Sequence, residues 1–488
     1  MGVVKTNNFS LAYAIEDSLG VLTSQVWKLL EPNDIGAWGG QLTTTPRDPI
    51  SNRRQRRKGV STDLESNVEF EHDLTIAGFD DFAEAFVFAN YQDEMEPTIT
   101  GCDTDSYTVS PIMTTAFIQD MLVYVRGASN AANNGLKEVA TGATTADIPV
   151  EETLVTETFS GNVTMEVAGF RGASGDLEIT VSGTTATLTS TAADFTDWRL
   201  SVGQLIHIGG IGTSRNFTTT SYGYARVTAI AANTLSLDKL DSTIATVGSN
   251  SDTVDILFGK FLKNVSVNDS KYLERSFHFE GDFPNLGSAR YEYAKGNVPN
   301  SMGVNLPETD KATIAFSFVG QDTDPPTASR LAGASSALLP NRTAAFSTAT
   351  SISRLRVTEV DETGITTDFK ECNLILNNTA SGEKVLAYLG NKYINTGNFE
   401  VDLEGTVLFT SDGVISAIRN NTTVTMDFIV FNGDGAVSID IPSMTLGDGQ
   451  REFARNESIK AALAGMAFED DTLGTSIGIT VFPLVPTS

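Results

Sequence analysis

The chain has 488 residues, of which 40% are hydrophobic, 8% aromatic and 19% charged, a composition typical of folded rather than disordered proteins. Its 33 Lys and Arg residues against 61 Asp and Glu residues give a net charge of −28, which argues against a protein that holds a phosphate backbone on a basic surface. Cys102 and Cys372 are too few for a disulfide framework, and no apolar run reaches the roughly 18 residues of a membrane span.

Most segments alternate apolar and polar residues between Gly, Asn, Asp, Ser and Thr, which is the pattern of half-buried antiparallel strands. Residues 68–73 form the first strong strand pattern, and a helix is predicted over 80–91. Further along, a hairpin is predicted over 177–189 with its turn near Gly183, and a shorter helix over 412–420. The predicted fold class is therefore mainly β with a few flanking helices.

The same order of elements occurs twice along the chain. Residues 68–73 precede the first helix and residues 399–404 precede the second. Each helix is followed by a proline-containing strand, a final apolar strand and an acidic turn, so we interpret the chain as a duplicated β-sandwich module. The expected parts are 1–121 (first module, first part), 122–262 (one or two inserted small β domains), 263–321 (first module, second part), 322–350 (an extended linker) and 351–488 (second module).

Four predicted strands carry carboxylates on one face and apolar side chains on the other. Side chains alternate along a strand, so such carboxylates form rows about 7 Å apart, a spacing that adds nothing to stability. A single strand of this kind is most simply an ordinary solvated face. The recurrence of such strands in both modules favours a functional, solvent-exposed surface with a negative charge, called the wall here. Catalytic carboxylates would need a desolvated pocket, which these patterns do not indicate. The residues assigned to the wall are Glu69, Glu71, Asp73, Glu280, Asp282, Glu400, Asp402, Glu404 and Asp427.

One basic segment opposes the acidic trend. Residues 46–58 contain six basic residues and one acidic residue, a local charge of +5 that leaves −33 on the rest of the chain. Nucleic-acid binding is one interpretation, but a loop that docks on an acidic neighbouring subunit explains both charges. The basic residues are Arg47, Arg53, Arg54, Arg56, Arg57 and Lys58.

The sequence lacks the common motifs of catalysis, cofactor binding and metal binding. His72, His207 and His278 lie far apart, and each falls within an apolar or alternating pattern. The chain has no Cys-x-x-Cys, no His-x-x-x-His and no phosphate-binding glycine loop. We therefore expect structural histidines, no catalytic residue, no cofactor, no metal and no enzymatic activity.

Short motifs over most of the chain carry a family resemblance. They are Trp27–Pro32 with Trp38–Gly40, Arg53–Gly59, Glu71–Leu74, Ser276–Glu280 with Tyr291, Gly296, Val298 and Pro299, Asn395–Phe399 and Leu473–Thr475. Together they resemble the major tail tube proteins of bacteriophages with long, non-contractile tails. The resemblance covers most of 5–121, 263–320 and 351–488, and it leaves out the 122–262 insertion.

This resemblance implies rings of subunits whose inner strands close a β-barrel lumen, with rings stacked through a long loop. Because this chain carries two modules, three chains with pseudo-sixfold symmetry would replace the usual six. The acidic rows would line the lumen so that DNA is ejected without binding, the basic loop would make the ring-to-ring contact, and the insertion would lie outside the tube.

The resemblance also implies where the protein works and with what. Its partners would be other copies of itself together with tail terminator, tape measure and tail-tip proteins, with no membrane contact. It would be assembled in the host bacterial cytoplasm and reside in the virion tail. The alternative from another class is a monomeric β-rich surface adhesin or tail-tip receptor-binding protein in which the insertion binds the ligand, and a glycan-active enzyme with paired carboxylates ranks third.

Overall fold

A computed structural model describes residues 5–23, 26–50, 52, 55–92, 94–159, 163–212, 215–218, 221–248, 253–286, 290–339, 343–359, 364–366 and 368–486. Two α-helices and thirty-three β-strands lie within these ranges, so the predicted mainly β fold class is confirmed. No helix in the described ranges is both long and apolar enough to cross a membrane.

The first module consists of two stretches of chain separated by an insertion. The first stretch contains β1 (Ser10–Ile15), β2 (Lys28–Leu30), β3 (Asp34–Ala37), β4 (Gly40–Arg47), β5 (Arg57–Asp73) and α1 (Asp80–Val87). The second stretch contains β20 (Phe277–Asp282), β21 (Tyr291–Leu306), β22 (Thr313–Gly320) and β23 (Asp322–Thr327).

The second module is continuous in the sequence. It contains β24 (Ile352–Glu359), β25 (Gly364–Thr366), β26 (Phe369–Asn377), β27 (Ser381–Glu383), β28 (Tyr393–Asn395), β29 (Glu400–Leu408), α2 (Gly413–Asn420), β30 (Thr423–Asn432), β31 (Gly435–Glu452), β32 (Lys460–Ala467) and β33 (Gly478–Phe482).

The inserted region contains the strands between α1 and β20, apart from the last. They are β6 (Ile99–Cys102), β7 (Ser106–Val109), β8 (Met121–Arg126), β9 (Gly135–Glu138), β10 (Asp147–Pro149), β11 (Glu157–Thr158), β12 (Thr164–Arg171), β13 (Glu178–Ser182), β14 (Thr185–Thr189), β15 (Leu205–Ile208), β16 (Gly223–Ala231), β17 (Thr234–Asp238) and β18 (Asp255–Leu257). The last strand, β19 (Lys260–Lys263), pairs with β33 of the second module.

Both predicted helices form, and the first is shorter than expected. α1 begins at Asp80 but ends at Val87, because Phe88 adopts a left-handed conformation with φ of 55°. α2 begins one residue later than predicted and ends at Asn420, where Asn421 has φ of 50°. The hairpin of β13 and β14 turns at Gly183, as predicted, with φ of 63° at that glycine.

Strand pairing is the same in the two modules. β5, β22 and β21 pair in that order in the first module, as β29, β32 and β31 do in the second. β1 pairs with β20 and β20 with β21, as β24 pairs with β30 and β30 with β31. Finally, β23 returns to β21 as β33 returns to β31.

Each module is a two-layer sandwich with its core between the layers. The inner layer contains β5 and β22 or β29 and β32, the outer layer contains β1 and β20 or β24 and β30, and the long strands β21 and β31 take part in both. Apolar side chains meet between the layers: the rings of Phe70 and Phe279 lie 6.0 Å apart, and Phe82 of α1 lies 5.0 Å from Phe316.

The inner layers of the two modules form one continuous sheet. β21 of the first module pairs antiparallel with β26 of the second, from Ser301 opposite Asn377 to Leu306 opposite Cys372. β26 in turn pairs with β29. The inner sheet therefore runs from β5 through β22, β21, β26 and β29 to β32 without a break.

Two of the predicted part boundaries are wrong. β6 and β7 lie before residue 122, yet they form a sheet with β10 and β11 and share a core with Met121, so the inserted region begins before β6. Residues 322–350 are not an extended linker, because β23 pairs with β21 and Phe346 is fully buried. Composition alone did not separate a packed covering segment from a linker.

Candidate lumen surface and assembly contacts

Six of the nine predicted wall residues lie on one face of the continuous inner sheet. On β5 the apolar partners point into the core, since Val68 and Phe70 are buried, and the alternating carboxylates therefore point away from it. The same holds for β29, where Val401 and Leu403 are buried. The six carboxylates are Glu69, Glu71, Asp73, Glu400, Asp402 and Glu404.

Apart from Glu371 on β26, the strands between the two acidic rows present uncharged side chains on this face. Across the sheet, Glu69 lies opposite Ser317, Ser317 opposite Ser301, Ser301 opposite Asn377, and Asn377 opposite Glu400. Four strand spacings separate the rows, about 19 Å, so salt screens most of the repulsion between them. The face encloses an open concavity of about 890 Å³ that Glu69, Glu71 and Glu404 help to line.

Five of these six carboxylates form no ion pair with any residue that the structure describes. Asp73 contacts the ammonium of Lys311 at 2.6 Å and also accepts from Asn33; although partial burial alone would raise its pKa, the contact with Lys311 lowers it. The concave face therefore carries a negative charge.

Glu280 and Asp282 do not belong to this face, so the prediction is wrong for them. The carboxylate of Glu280 is 1% exposed, accepts from the Tyr293 hydroxyl at 2.7 Å and pairs with Arg330. Asp282 is also buried and pairs with Arg290 at 2.6 Å. Their face of β20 is covered by the segment that follows β23, whose composition predicts a linker.

Asp427 is likewise not a lumen residue, and the prediction is wrong for it as well. It is 1% exposed and lies 3.6 Å from Lys239 and 3.1 Å from Arg356, with Arg354 also in contact. Burial alone would raise the pKa of Asp427, but Lys239, Arg354 and Arg356 hold it at about 2. The inserted region, which supplies Lys239, covers this face of β30.

Sequence reasoning missed the buried charge network around Asp427. Asp440, on β31, is 2% exposed and pairs with Arg226 at 2.9 Å and with Lys239 at 2.5 Å. Arg226 also holds Asp238 at 2.6 Å. The network joins the inserted region to the second module, and no local motif could have found it, because its members lie up to 214 residues apart.

The basic segment forms the end of a long exposed hairpin, called the arm here (residues 40–66). β4 and β5 pair from Gly40 opposite Ser66 to Arg47 opposite Arg57, and every residue of β4 is exposed. Arg56, Arg57 and Lys58 are exposed as well, while Arg53 and Arg54 lie outside the described residues. The structure thus presents a basic tip on a projecting hairpin.

The second module carries a much shorter hairpin at the matching place between β26 and β29, called the short hairpin here (residues 381–395). β27 and β28 pair over three positions, from Ser381 opposite Asn395 to Glu383 opposite Tyr393. Its Lys384 contacts the carboxylate of Asp63 in the arm. The two hairpins of one chain therefore touch.

Two of the three histidines and both cysteines are buried, whereas His72 is half-buried and contacts the carbonyl oxygen of Asp73 at 2.7 Å. His207 and His278 are 5% and 6% exposed, and they contact the carbonyl oxygen of Gly209 at 2.8 Å and the carboxylate of Glu16 at 3.2 Å. Both cysteines are buried as free thiols. Among the described residues, no group of three or more His, Cys, Asp and Glu side chains could hold a metal ion.

The inner sheet thus has a concave face lined by carboxylates, and a long hairpin projects from the first module. Residues 240–467 match the family model described as phage tail tube protein. The match supports a phage tail tube protein, a structural component of the virion tail. Comparison with the curated proteins finds no match.

Proposed function

We propose that three copies of the chain close a ring and that stacked rings form the tail tube of a phage with a long, non-contractile tail. The observation that carries the proposal is the single inner sheet shared by both modules, with carboxylates of each module on the same concave face. Three such sheets would supply six modules around a lumen. No enzymatic activity is part of this role.

The ends of the inner sheet support ring closure between chains. β3 pairs only with β5 among the described strands, so its other edge is open. At the opposite end, residues 446–452 of β31 pair only with β32 within the described part of the chain. Open edges are prone to unwanted pairing, and joining β31 of one chain to β3 of the next would remove both.

The charge of the concave face supports a passage for DNA. Carboxylates repel phosphates, and the neutral amides and hydroxyls between the rows offer no cation on which a backbone could settle. DNA would therefore be ejected without specific binding. The wall in this proposal consists of Glu69, Glu71, Asp73, Glu400, Asp402 and Glu404.

The remaining surfaces fit the outside and the ends of a tube. The described contacts of the inserted region with the second module involve the outer layer, for example Arg226 with Asp440 and the Leu205 amide with Thr480 Oγ1 at 3.3 Å, and they leave the concave face free. We place the inserted region on the exterior and the basic arm at the ring-to-ring contact. Tail terminator, tape measure and tail-tip proteins complete the set of partners, and assembly takes place in the host cytoplasm.

Negative-stain electron microscopy across a concentration series tests the proposal. Hollow tubes or stacked rings are expected, with three chains and six lobes per ring in class averages. Monomers at every concentration, with and without a preformed tail tip to start assembly, would overturn the proposal and favour the binding-protein alternative.

Charge reversal of the arm tests the ring contact. The R56E/R57E/K58E variant should keep its fold and form rings that do not stack, since it places like charges on an acidic neighbour. A charge-preserving variant, R56K/R57K/K58R, is the matched control and should form tubes. Tubes of wild-type length from the reversed variant would refute the assignment of the arm.

A further inference from the structure

The short hairpin lies against the base of the arm in the same chain. Lys384 of the hairpin donates to the carbonyl oxygen of Leu64 at 3.0 Å as well as contacting Asp63. The Leu64 amide in turn donates to the carbonyl oxygen of Leu389 at 3.1 Å. These contacts fall where the arm leaves the sandwich, so they bear on the direction in which it projects.

The hairpin itself is anchored to the end of β22 in the first module. Asn391 is 4% exposed, and its amide side chain donates to the Gly320 carbonyl oxygen at 2.9 Å. Its backbone nitrogen donates to the Gln321 carbonyl oxygen, also at 2.9 Å. At Gly390 a Cβ atom would lie 2.3 Å from that same oxygen, so only glycine permits this approach.

The tip of the short hairpin is apolar and unusually exposed. Leu386 is 99% exposed, and Val385 and Leu389 are 42% and 41% exposed. The adjoining arm adds Leu42 and Val60, exposed by 52% and 58%. Single exposed leucines are common on protein surfaces. Several exposed apolar side chains on two hairpins that touch each other, by contrast, indicate a surface for a partner.

We infer that the short hairpin is a support that fixes the direction of the arm, and that its apolar tip and the arm form one docking surface for a second copy of the chain in the next ring. The inference rests on the proposed function, because the second copy is reached through the arm. The occupant of this surface is a second copy of the chain, because the apolar tip adjoins the arm, whose proposed partner is a chain of the next ring. Each chain then offers one arm and one support instead of two arms.

Because only the first module of each chain carries an arm, the number of arms per ring determines the symmetry with which rings stack. A ring of three chains would carry three arms, each beside a short hairpin, although it contains six modules. Successive rings would therefore make three equivalent contacts and stack with threefold symmetry. Six equal contacts between rings in a helical reconstruction would contradict the inference.

Two variants and two controls test the roles separately. L386S removes the apolar tip and should raise the protein concentration needed for stacking at least tenfold, while rings still form. Leu339, which is 75% exposed and lies outside both hairpins, provides the matched control L339S, which should stack like wild type. K384E should weaken the support and shorten tubes, whereas K384R should keep them.

Hydrogen exchange on the unassembled chain provides a readout that does not depend on tubes. In K384E the Leu64 amide should exchange at least tenfold faster, since the contact that holds it is loosened, and K384R should leave it slow. If the reversed arm blocks stacking while L386S and K384E stack and exchange like wild type, the inference fails and the proposed function stands. Wild-type chains that form neither rings nor tubes would overturn both.

Discussion

Strands β5 and β29 carry the same sequence pattern as β20 and β30, and the structure gives the two pairs opposite surroundings. All four place apolar residues in the sandwich core and carboxylates on the opposite face, although β20 and β30 show the alternation less fully. The carboxylates of β5 and β29 lie on the open face of the inner sheet, where Glu69, Glu71 and Glu404 line the concavity. Those of β20 and β30 face the other way and are covered, by the segment after β23 in one module and by the inserted region in the other.

The difference shows that alternation identifies the core face of a strand but leaves the environment of the opposite face open. A carboxylate on an open face needs no partner, because water solvates it. A covered carboxylate needs cations and hydrogen bonds, and Glu280 and Asp427 have both. The same residue type therefore contributes to assembly in one layer and to internal stability in the other.

The largest expected effect comes from removing a covered charge. D427N should lower the free energy of unfolding by about 3–5 kcal/mol, because Arg354, Arg356 and Lys239 would lose the carboxylate that they share. Urea unfolding of the unassembled chain measures the loss. D402N on the concave face is the matched control, with an expected change below about 1 kcal/mol, and equal losses in the two variants would break the comparison.

Acid should reproduce part of this loss of stability without a mutation. The folded pKa of Asp427 is about 2, below its ordinary 3.8, so the native state binds this proton less tightly than the unfolded chain does. Its contribution, about 2 kcal/mol by linkage, is fully present above roughly pH 4 and is lost as the pH falls through about 2. The stability difference between wild type and D427N should therefore shrink between pH 5 and pH 2, and a constant difference over that range would contradict the assignment.

The smallest effect on stability is expected on the concave face, where the functional effect should be clear. E69Q/E71Q/E400Q/E404Q should change the free energy of unfolding by less than about 1 kcal/mol, since these side chains have no ion pairs with described residues. Short DNA duplexes should enter tubes of this variant at low salt although wild-type tubes exclude them, and the difference should shrink as salt screens the repulsion. Equal exclusion by both tubes would argue against these residues as the lumen wall.

The sequence was informative wherever a property depends on neighbours along the chain. Alternation identified β5 and β29, the hairpin at Gly183 formed where its turn residues stand, and both helices formed close to their predicted starts. The recurrence of the strand–helix order anticipated the pairing that the two modules share. Family motifs led to the tail tube class, which the match over residues 240–467 confirms.

Tertiary structure alone decided which surfaces are covered. The segment after β23 has a linker-like composition, yet it covers Glu280, and the inserted region covers Asp427 through Lys239, 188 positions earlier in the chain. Burial depends on what packs over a face, and the covering residues are distant in sequence, so no local pattern records it. Local alternation thus determined the strands and their core faces, whereas the pairing of β21 with β26 and the packing of the covering segments decided which acidic rows stay open to water.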